Sequence, residues 1–236
     1  MSVANCTLAA TGTRWTELTA DPKLAAWDFK SDVAAWQVAG DATLDGKKRK
    51  SLIAQPGTGA IVSPHGKIPD LKTKQSYADL DVHVEFMIPR GSNSGVKLMG
   101  LYEIQIYDSK GVAHLSGDAC GGIYPRGEME PKYHVIDEGT PPKMNAAKAA
   151  GQWQTLDIEF VAPRFDTSGQ KLSNAKFVKV VLNGHLIHKN VEVAYPTGKA
   201  WRLKREVAKG PLLLQGDHGP VAFRNVRVRD TGNPAN

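Results

Sequence analysis

The stretch that decides the fold is "ADLDVHVEFMIPRGSNSGVKLMGLYEIQIYD", Ala78 to Asp108. Apolar residues recur at every second position, Leu80, Val82, Val84, Phe86 and Ile88, which is the signature of a half-buried strand. The turn-forming "PRGSNSG" ends that strand. "SGVKLMG" and "YEIQIYD" then read as two further strands joined through Gly100. On a strand, residues i and i+2 share a face, so Tyr102, Ile104 and Ile106 suit a core. Glu103 and Gln105 project together from the opposite face.

The same pattern extends in both directions. "AAWQVAGDATLDG" and "KSLIAQPG" read as a hairpin-like pair, and "WQTLDIEFVAP" as a strand. "AKFVKVVLNGHLIHKNVEV" is a hairpin turning at Asn183-Gly184, the type I′ signal. "LLLQGDHGPVAFRNVRVRD", Leu212 to Asp230, reads as the terminal hairpin, with Asp217 and His218 in its turn. "DPKLAAW" predicts a short helix with Asp21 as N-cap and Pro22 in the first helical position. "RFDTSGQKLSN" reads as a polar loop. Residues 109 to 151 form a long irregular stretch rich in Gly, Pro and charge, a length that points to function or disorder. Many strands, frequent turns and little helix predict an all-β sandwich or jelly roll of two antiparallel sheets. The 236 residues are expected to form one domain, with residues 1–13 a frayed, flexible segment.

Composition narrows the function. The net charge of +6 is spread over the chain, and "KKRK" at Lys47 to Lys50 follows Asp45-Gly46 as a solvated turn without interleaved aromatics, which argues against nucleic acid. No apolar run reaches the roughly 18 residues of a membrane span. Two cysteines, Cys6 and Cys120, make no disulfide framework. No signal peptide is visible, and no obligatory protein partner is evident.

Taken in order, "WQVAGD", "DLDVHVEFMIPRGSNSGVKLMGLYEIQIYDS", "GGIYPR", "NAAKAAGQWQTLDIEF", "VVLNGHLIH" and "GPLLLQGDHGPVAFRNVRVRD" resemble the 3-keto-disaccharide hydrolase family, over about Trp36 to Asp230. The resemblance implies a concanavalin A-like jelly roll acting on glycosides whose C3 hydroxyl is oxidised to a ketone. It also implies an envelope, periplasmic or secreted location. The opening "WTELTADPKLAAWDF" matches the family faintly, and "GEMEPKYHVIDEGTPPKM" is longer than the family's minimal loop.

A C3 ketone makes the C2 proton acidic, so a base can form an enolate that expels the C1 substituent, and water can add back to give net hydrolysis. Such a route needs one base, stabilisers for the enolate oxygen and an acid for the leaving group. The candidate catalytic residues are Glu103 and His218, whose roles the sequence leaves interchangeable, with Asp217 orienting His218. Asn93, Lys97, Gln105, Tyr124, Arg126 and Arg224 are the candidate substrate-binding residues. Glu128, Glu130, His134 and Asp137 of the long stretch leave a divalent metal open, although their spacing matches no strong signature. His65, His83, His114, His185 and His188 read as surface or loop histidines. No paired-glutamate strand of the "E-x-D-x-x-E" kind is present, which argues against ordinary two-carboxylate hydrolysis. The alternative reading is a non-catalytic, lectin-like carbohydrate-binding module. It would need stacked aromatics, whereas the five tryptophans sit mostly at strand starts and read as core.

Overall fold

A computed structural model describes residues 14–28 and 36–232. The expectations for the segment 1–13 and for Cys6 lie outside these residues. Strands are numbered along the chain. The larger sheet runs β15 (His185–Val193), β14 (Ala175–Leu182), β11 (Gln154–Val161), β6 (Leu80–Met87), β17 (Val221–Asp230), β4 (Leu52–Ser63) and β3 (Gln37–Leu44), with β1 (Thr16–Glu17) added to β17. The smaller sheet runs β2 (Trp27–Asp28), β5 (Leu71–Tyr77), β16 (Gly210–Leu214), β7 (Asn93–Leu98) and β8 (Tyr102–Tyr107). Every pairing within the two sheets is antiparallel. The chain is thus the expected jelly-roll β-sandwich.

Alternation explains the layers. On β6, Leu80, Val82, Val84 and Phe86 are buried in the core between the sheets, where Tyr102, Ile104 and Ile106 of β8 meet them. Tyr102 packs on Phe160 at 5.5 Å and Phe160 on Phe177 at 5.2 Å, so three aromatic rings tie the two sheets together. Met87 and Ala222 point the other way, into a small apolar cluster with Leu52 and Val62 on the outside of the larger sheet. The Asn183-Gly184 turn forms as read, with φ of 52° and 82°.

Four local expectations change. "DPKLAAW" forms turns and no helix. Asp21 does accept from the amides of Lys23 and Ala25, but Leu24 adopts φ of 51°, which ends any helical run. The polar "RFDTSGQKLSN" carries a two-stranded ribbon, β12 (Arg164–Phe165) with β13 (Lys171–Ser173). His188 is buried at 2% exposure, its Nε2 lying 2.8 Å from the Gly121 carbonyl, and burial pushes its pKa down. The terminal segment is not a hairpin. β16 belongs to the smaller sheet and β17 to the centre of the larger, so residues 215–220 cross from one sheet to the other.

The crossover is clamped. The Gly216 amide donates to Asp70 Oδ1 at 3.0 Å, and the Ser92 hydroxyl donates to the Pro220 carbonyl at 2.6 Å. Gly219 lies against the start of β7, where an added Cβ would collide with Ser92 Oγ and sit 2.9 Å from the Asn93 amide nitrogen. The long 109–151 stretch covers the free edge of β8. The Gln105 amide donates to the Gly122 carbonyl and the Gly121 amide to the Gln105 carbonyl, each at 2.8 Å. A second ribbon, β9 (Gly127–Glu128) with β10 (His134–Val135), and one helical turn, α1 (Ala200–Leu203), stand beyond it.

Gly219→Ala forces a backbone shift, because beyond the Ser92 hydroxyl its neighbours are main-chain atoms of Asn93. It should destabilise the fold by about 1–3 kcal/mol in denaturant titration. An unchanged midpoint would show that the crossover is not packed against β7 as described.

Candidate functional site

The outer face of the smaller sheet carries a cleft of about 270 Å³. Its floor comes from facing positions of three adjacent strands. Lys97 is the cross-strand partner of Glu103, and Gly95 that of Gln105. Lys97 also pairs with Leu213 of β16, whose next outward position is Gln215. The walls are Tyr124, Met129 and Tyr133 on one side, Gly198 and Lys199 on another, and Asn93 and His218 at the crossover. Asn93, Lys97, Glu103, Gln105, Tyr124 and His218 were expected from the sequence, and the fold brings all six together.

Glu103 is the chemical centre. It is 3% exposed, and its side chain leans over Gly95. A Cβ at Gly95 would run into Oε1 and lie 2.9 Å from Cδ, so the space of one methyl group is given over to the carboxylate. Lys97 Nζ lies 3.2 Å from Glu103 Oε2. Burial pushes the Glu103 pKa above the usual carboxylate range; Lys97 and His218 oppose this, while Asp70 adds to it. Burial also works against the Lys97 ammonium, but Glu103, Asp70 and Asp217 outweigh it and hold the lysine charged.

His218 stands at the mouth, about half exposed, with Nδ1 hydrogen-bonded to Asp217 Oδ1. That bond raises the imidazole pKa above its ordinary value, against a smaller effect of burial. Asp217 does not line the cleft itself. Burial would raise its pKa, but His218 and Lys97 bring it below the usual range. The sequence placed Asp217 and His218 in a hairpin turn. Their actual position, on a crossover between sheets, is what sets the imidazole over the neighbouring strands.

Tyr124 is fixed by its amide, which donates to the Glu103 carbonyl at 3.0 Å. Its hydroxyl lies 3.3 Å from that of Tyr133. Burial and the Tyr133 hydroxyl push its pKa well up, so it stays protonated. Gln105 and Gln215 are 2% and 6% exposed, and the Oε1 atom of each has no hydrogen-bond partner among the described residues. Two buried amide oxygens facing one cleft are acceptors that await a donor from outside the protein.

Two expected residues are elsewhere. Arg126 turns away from the cleft: its Nε donates to Asp137 Oδ2 at 2.7 Å, and its guanidinium lies 5.0 Å from the Tyr195 ring and 5.1 Å from that of Trp201. Arg224 is on the outside of the larger sheet, with Nε 2.7 Å from Glu85 Oε2 and the guanidinium 4.1 Å from the Trp153 ring. The sequence reading missed Gln215, Met129, Tyr133 and Lys199. For Gln215 the signal was present, since Leu212 and Leu214 are core residues and the odd positions must face outward.

Two of the three loop acids considered for a metal are engaged with arginines, Glu128 with Arg202 at 2.9 Å and Asp137 with Arg126. Among the described residues, no three His, Cys, Asp or Glu side chains gather where they could hold a metal ion. None of the helices described is long and apolar enough to cross a membrane.

Solved structures share this architecture. One, a "putative glycosyl hydrolase" from Parabacteroides distasonis ATCC 8503, aligns with a TM-score of 0.65 at 24% identity, covering 92% of this chain and 84% of its own. Another from the same organism, described in the same words, aligns with a TM-score of 0.57 at 19% identity, covering 92% and 99%. At these identities the likeness shows a shared fold. No curated protein matches the chain. The model of the 3-keto-alpha-glucoside-1,2-lyase-like domain matches residues 14–229, which take in both sheets and every residue of the cleft. The chain therefore belongs to that family, the 3-keto-disaccharide hydrolases.

Proposed function

We propose that the protein cleaves 3-keto-glycosides, 3-keto-disaccharides among them, by elimination across C1 and C2. The observation that carries this reading is the inventory of the cleft. Glu103 is the one carboxylate among the described residues lining it, and the group at its mouth is an imidazole. Ordinary glycosidases place two carboxylates about 5–9.5 Å apart around the scissile bond. Elimination needs one base and one acid.

The sequence left the roles interchangeable, and the electrostatics support one ordering of them. Glu103, raised by burial yet beside a lysine, is the base that takes the C2 proton. The electrons of the C2–H bond pass into the enolate of the C3 ketone, whose oxygen can be met by the Lys97 ammonium and the Tyr124 hydroxyl. The enolate then forms the C1–C2 double bond as the C1–O bond breaks. His218, kept protonated by Asp217, gives its proton to the departing oxygen. Water then adds its hydroxyl to C1 and gives its other proton to His218, while the Glu103 proton returns to C2, which completes net hydrolysis and restores both residues. Gln105 Oε1 and Gln215 Oε1 accept from sugar hydroxyls that remain unoxidised. The family resemblance suggests that the protein meets such sugars in the periplasm or outside the cell.

The direct test is turnover of 3-ketotrehalose with trehalose as control, read as release of reducing sugar or of an ultraviolet-absorbing enone. Cleavage of the keto form alone is expected. Binding of sugars without turnover of either form would instead favour the lectin-like module.

Glu103→Gln should lower kcat/KM by about 10²–10⁴-fold while the protein remains folded. His218→Ala should cost a similar factor with a sugar leaving group and much less with p-nitrophenolate, which departs without a proton. A folded, fully active Glu103→Gln protein would remove the proposed base.

The pH profile should be bell-shaped. Activity rises as Glu103 loses its proton, at a pH above the usual glutamate range, and falls as His218 loses its own, above the usual histidine value. Asp217→Asn removes the main cause of the His218 shift, so the alkaline limb should move to lower pH with the acid limb largely in place. An unmoved alkaline limb would assign that limb to another group.

A further inference from the structure

Beside the cleft, a second hollow of about 400 Å³ lies where the 204–211 segment passes the β7–β8 turn and the edge of β5. Its charged lining residues are Lys72, Lys204, Arg205 and Lys209, with no carboxylate among them. None of these four takes part in an ion pair among the described residues. Of the nearby acids, Asp28 is the exposed cross-strand partner of Lys72 on the edge strand β2, and two others are engaged elsewhere. Glu206 binds Lys171 at 2.8 Å and faces the Tyr102 hydroxyl, while Asp70 accepts from the Gly216 amide. Lys72 is the cross-strand partner of Leu213, and Leu213 that of Lys97. Lys72 and Lys97 are therefore on one face, two strand spacings or about 10 Å apart. Lys199 stands on the cleft wall, close enough to act on the Lys204 charge.

We propose that this hollow receives an anionic group, a carboxylate, sulfate or phosphate, carried on the sugar next to the oxidised ring, so that the preferred substrates are acidic 3-keto-glycosides. This rests on reading the cleft as a glycoside site. With the oxidised ring over Glu103, a two-ring sugar running along β7, β16 and β5 brings its second ring to Lys72, Lys204 and Arg205. A neutral second ring would leave these cations facing one another. The cost of that is visible at Lys204, whose ammonium is held below its ordinary pKa by burial and then by Lys72, Lys97 and Lys199, against the opposing pull of Asp70. A bound anion relieves this repulsion, and Arg205 offers the planar donor pair that suits two oxygens of one group.

The test compares equilibrium binding, by calorimetry, of maltose and of maltose whose reducing-end C6 hydroxyl is oxidised to a carboxylate. The acid is expected to bind at least about fivefold more tightly at low ionic strength, from a few partly exposed charge pairs. The advantage should shrink as salt shortens the screening length to a few ångströms, and should vanish in the Lys72→Gln/Lys204→Gln protein at unchanged melting temperature. Equal affinities, no binding of the acid, or an advantage that survives the double substitution would overturn the proposal. Inorganic sulfate binding as tightly as the acid would also overturn it, since the site would then hold an anion without its sugar. Neither disaccharide is oxidised at C3, so a failure of 3-keto turnover would count against the proposed reaction and leave this comparison intact.

Discussion

The buried carboxylate of Glu103 is the constraint around which the rest of the cleft is arranged. A carboxylate taken out of water is costly unless a counter-charge and hydrogen bonds replace the solvent. Here the replacement is lean: one lysine across the strand pair and, among the described residues, no backbone amide donating to the side chain. The result is a carboxylate that is tolerated yet more basic than an ordinary one. Gly95 makes this possible, because a side chain there would occupy the volume the carboxylate needs. Its absent Cβ and the Lys97 ammonium are complementary, one giving space and the other charge.

The long irregular stretch and the crossover follow from the same arrangement. β8 is the edge of the smaller sheet, and an uncovered edge would expose both Glu103 and a row of unpaired backbone groups. The 121–124 segment closes that edge, and in doing so brings Tyr124 over the cleft. Thr197 covers it from the other direction, its hydroxyl accepting from the Glu103 amide at 3.1 Å. The crossover supplies what the strands do not. A side chain on β7 or β16 stands normal to the sheet, whereas His218, on a segment leaving the sheet, can overhang it. The two glycines flanking Asp217-His218 allow that segment to press against Trp36 on one side and Ser92 on the other.

The fold was legible because alternation along β6, β7 and β8 is strict, and alternation depends only on which residues are apolar. The same rule placed Glu103 and Gln105 on one face before any partner strand was known. What it could not supply was the identity of the partner strand. β16 and β17 read alike whether they pair with each other or lie in different sheets, so the sequence alone reads "GDHG" as a hairpin turn. The Arg224 expectation followed from that error. Phe223 and Val221 face the core from the larger sheet, so Arg224 must face away from the smaller one. Arg126 failed for a different reason. It is two residues beyond Tyr124, but it lies in a segment without strand periodicity, where sequence neighbours need not share a direction. Aromatic rings from the 195–201 region capture it instead.

A single buried carboxylate beside a lysine is poorly suited to displacement at an anomeric carbon. There a nucleophile must approach one side while an acid waits on the other, and two carboxylates divide the labour. It is better suited to removing a carbon-bound proton. Such a base gains from desolvation, which raises its basicity, and from a fixed cation nearby, which receives the charge as it moves from carboxylate to enolate oxygen. In that transfer Lys97 loses its attraction to Glu103 as Glu103 becomes neutral, and gains an equivalent attraction to the new oxyanion. The net charge around the lysine is then the same before and after proton abstraction, so the surrounding dipoles have little cause to reorganise. The pair that looks like a structural ion pair in the resting protein is, on this argument, half of the apparatus that moves one negative charge across the cleft.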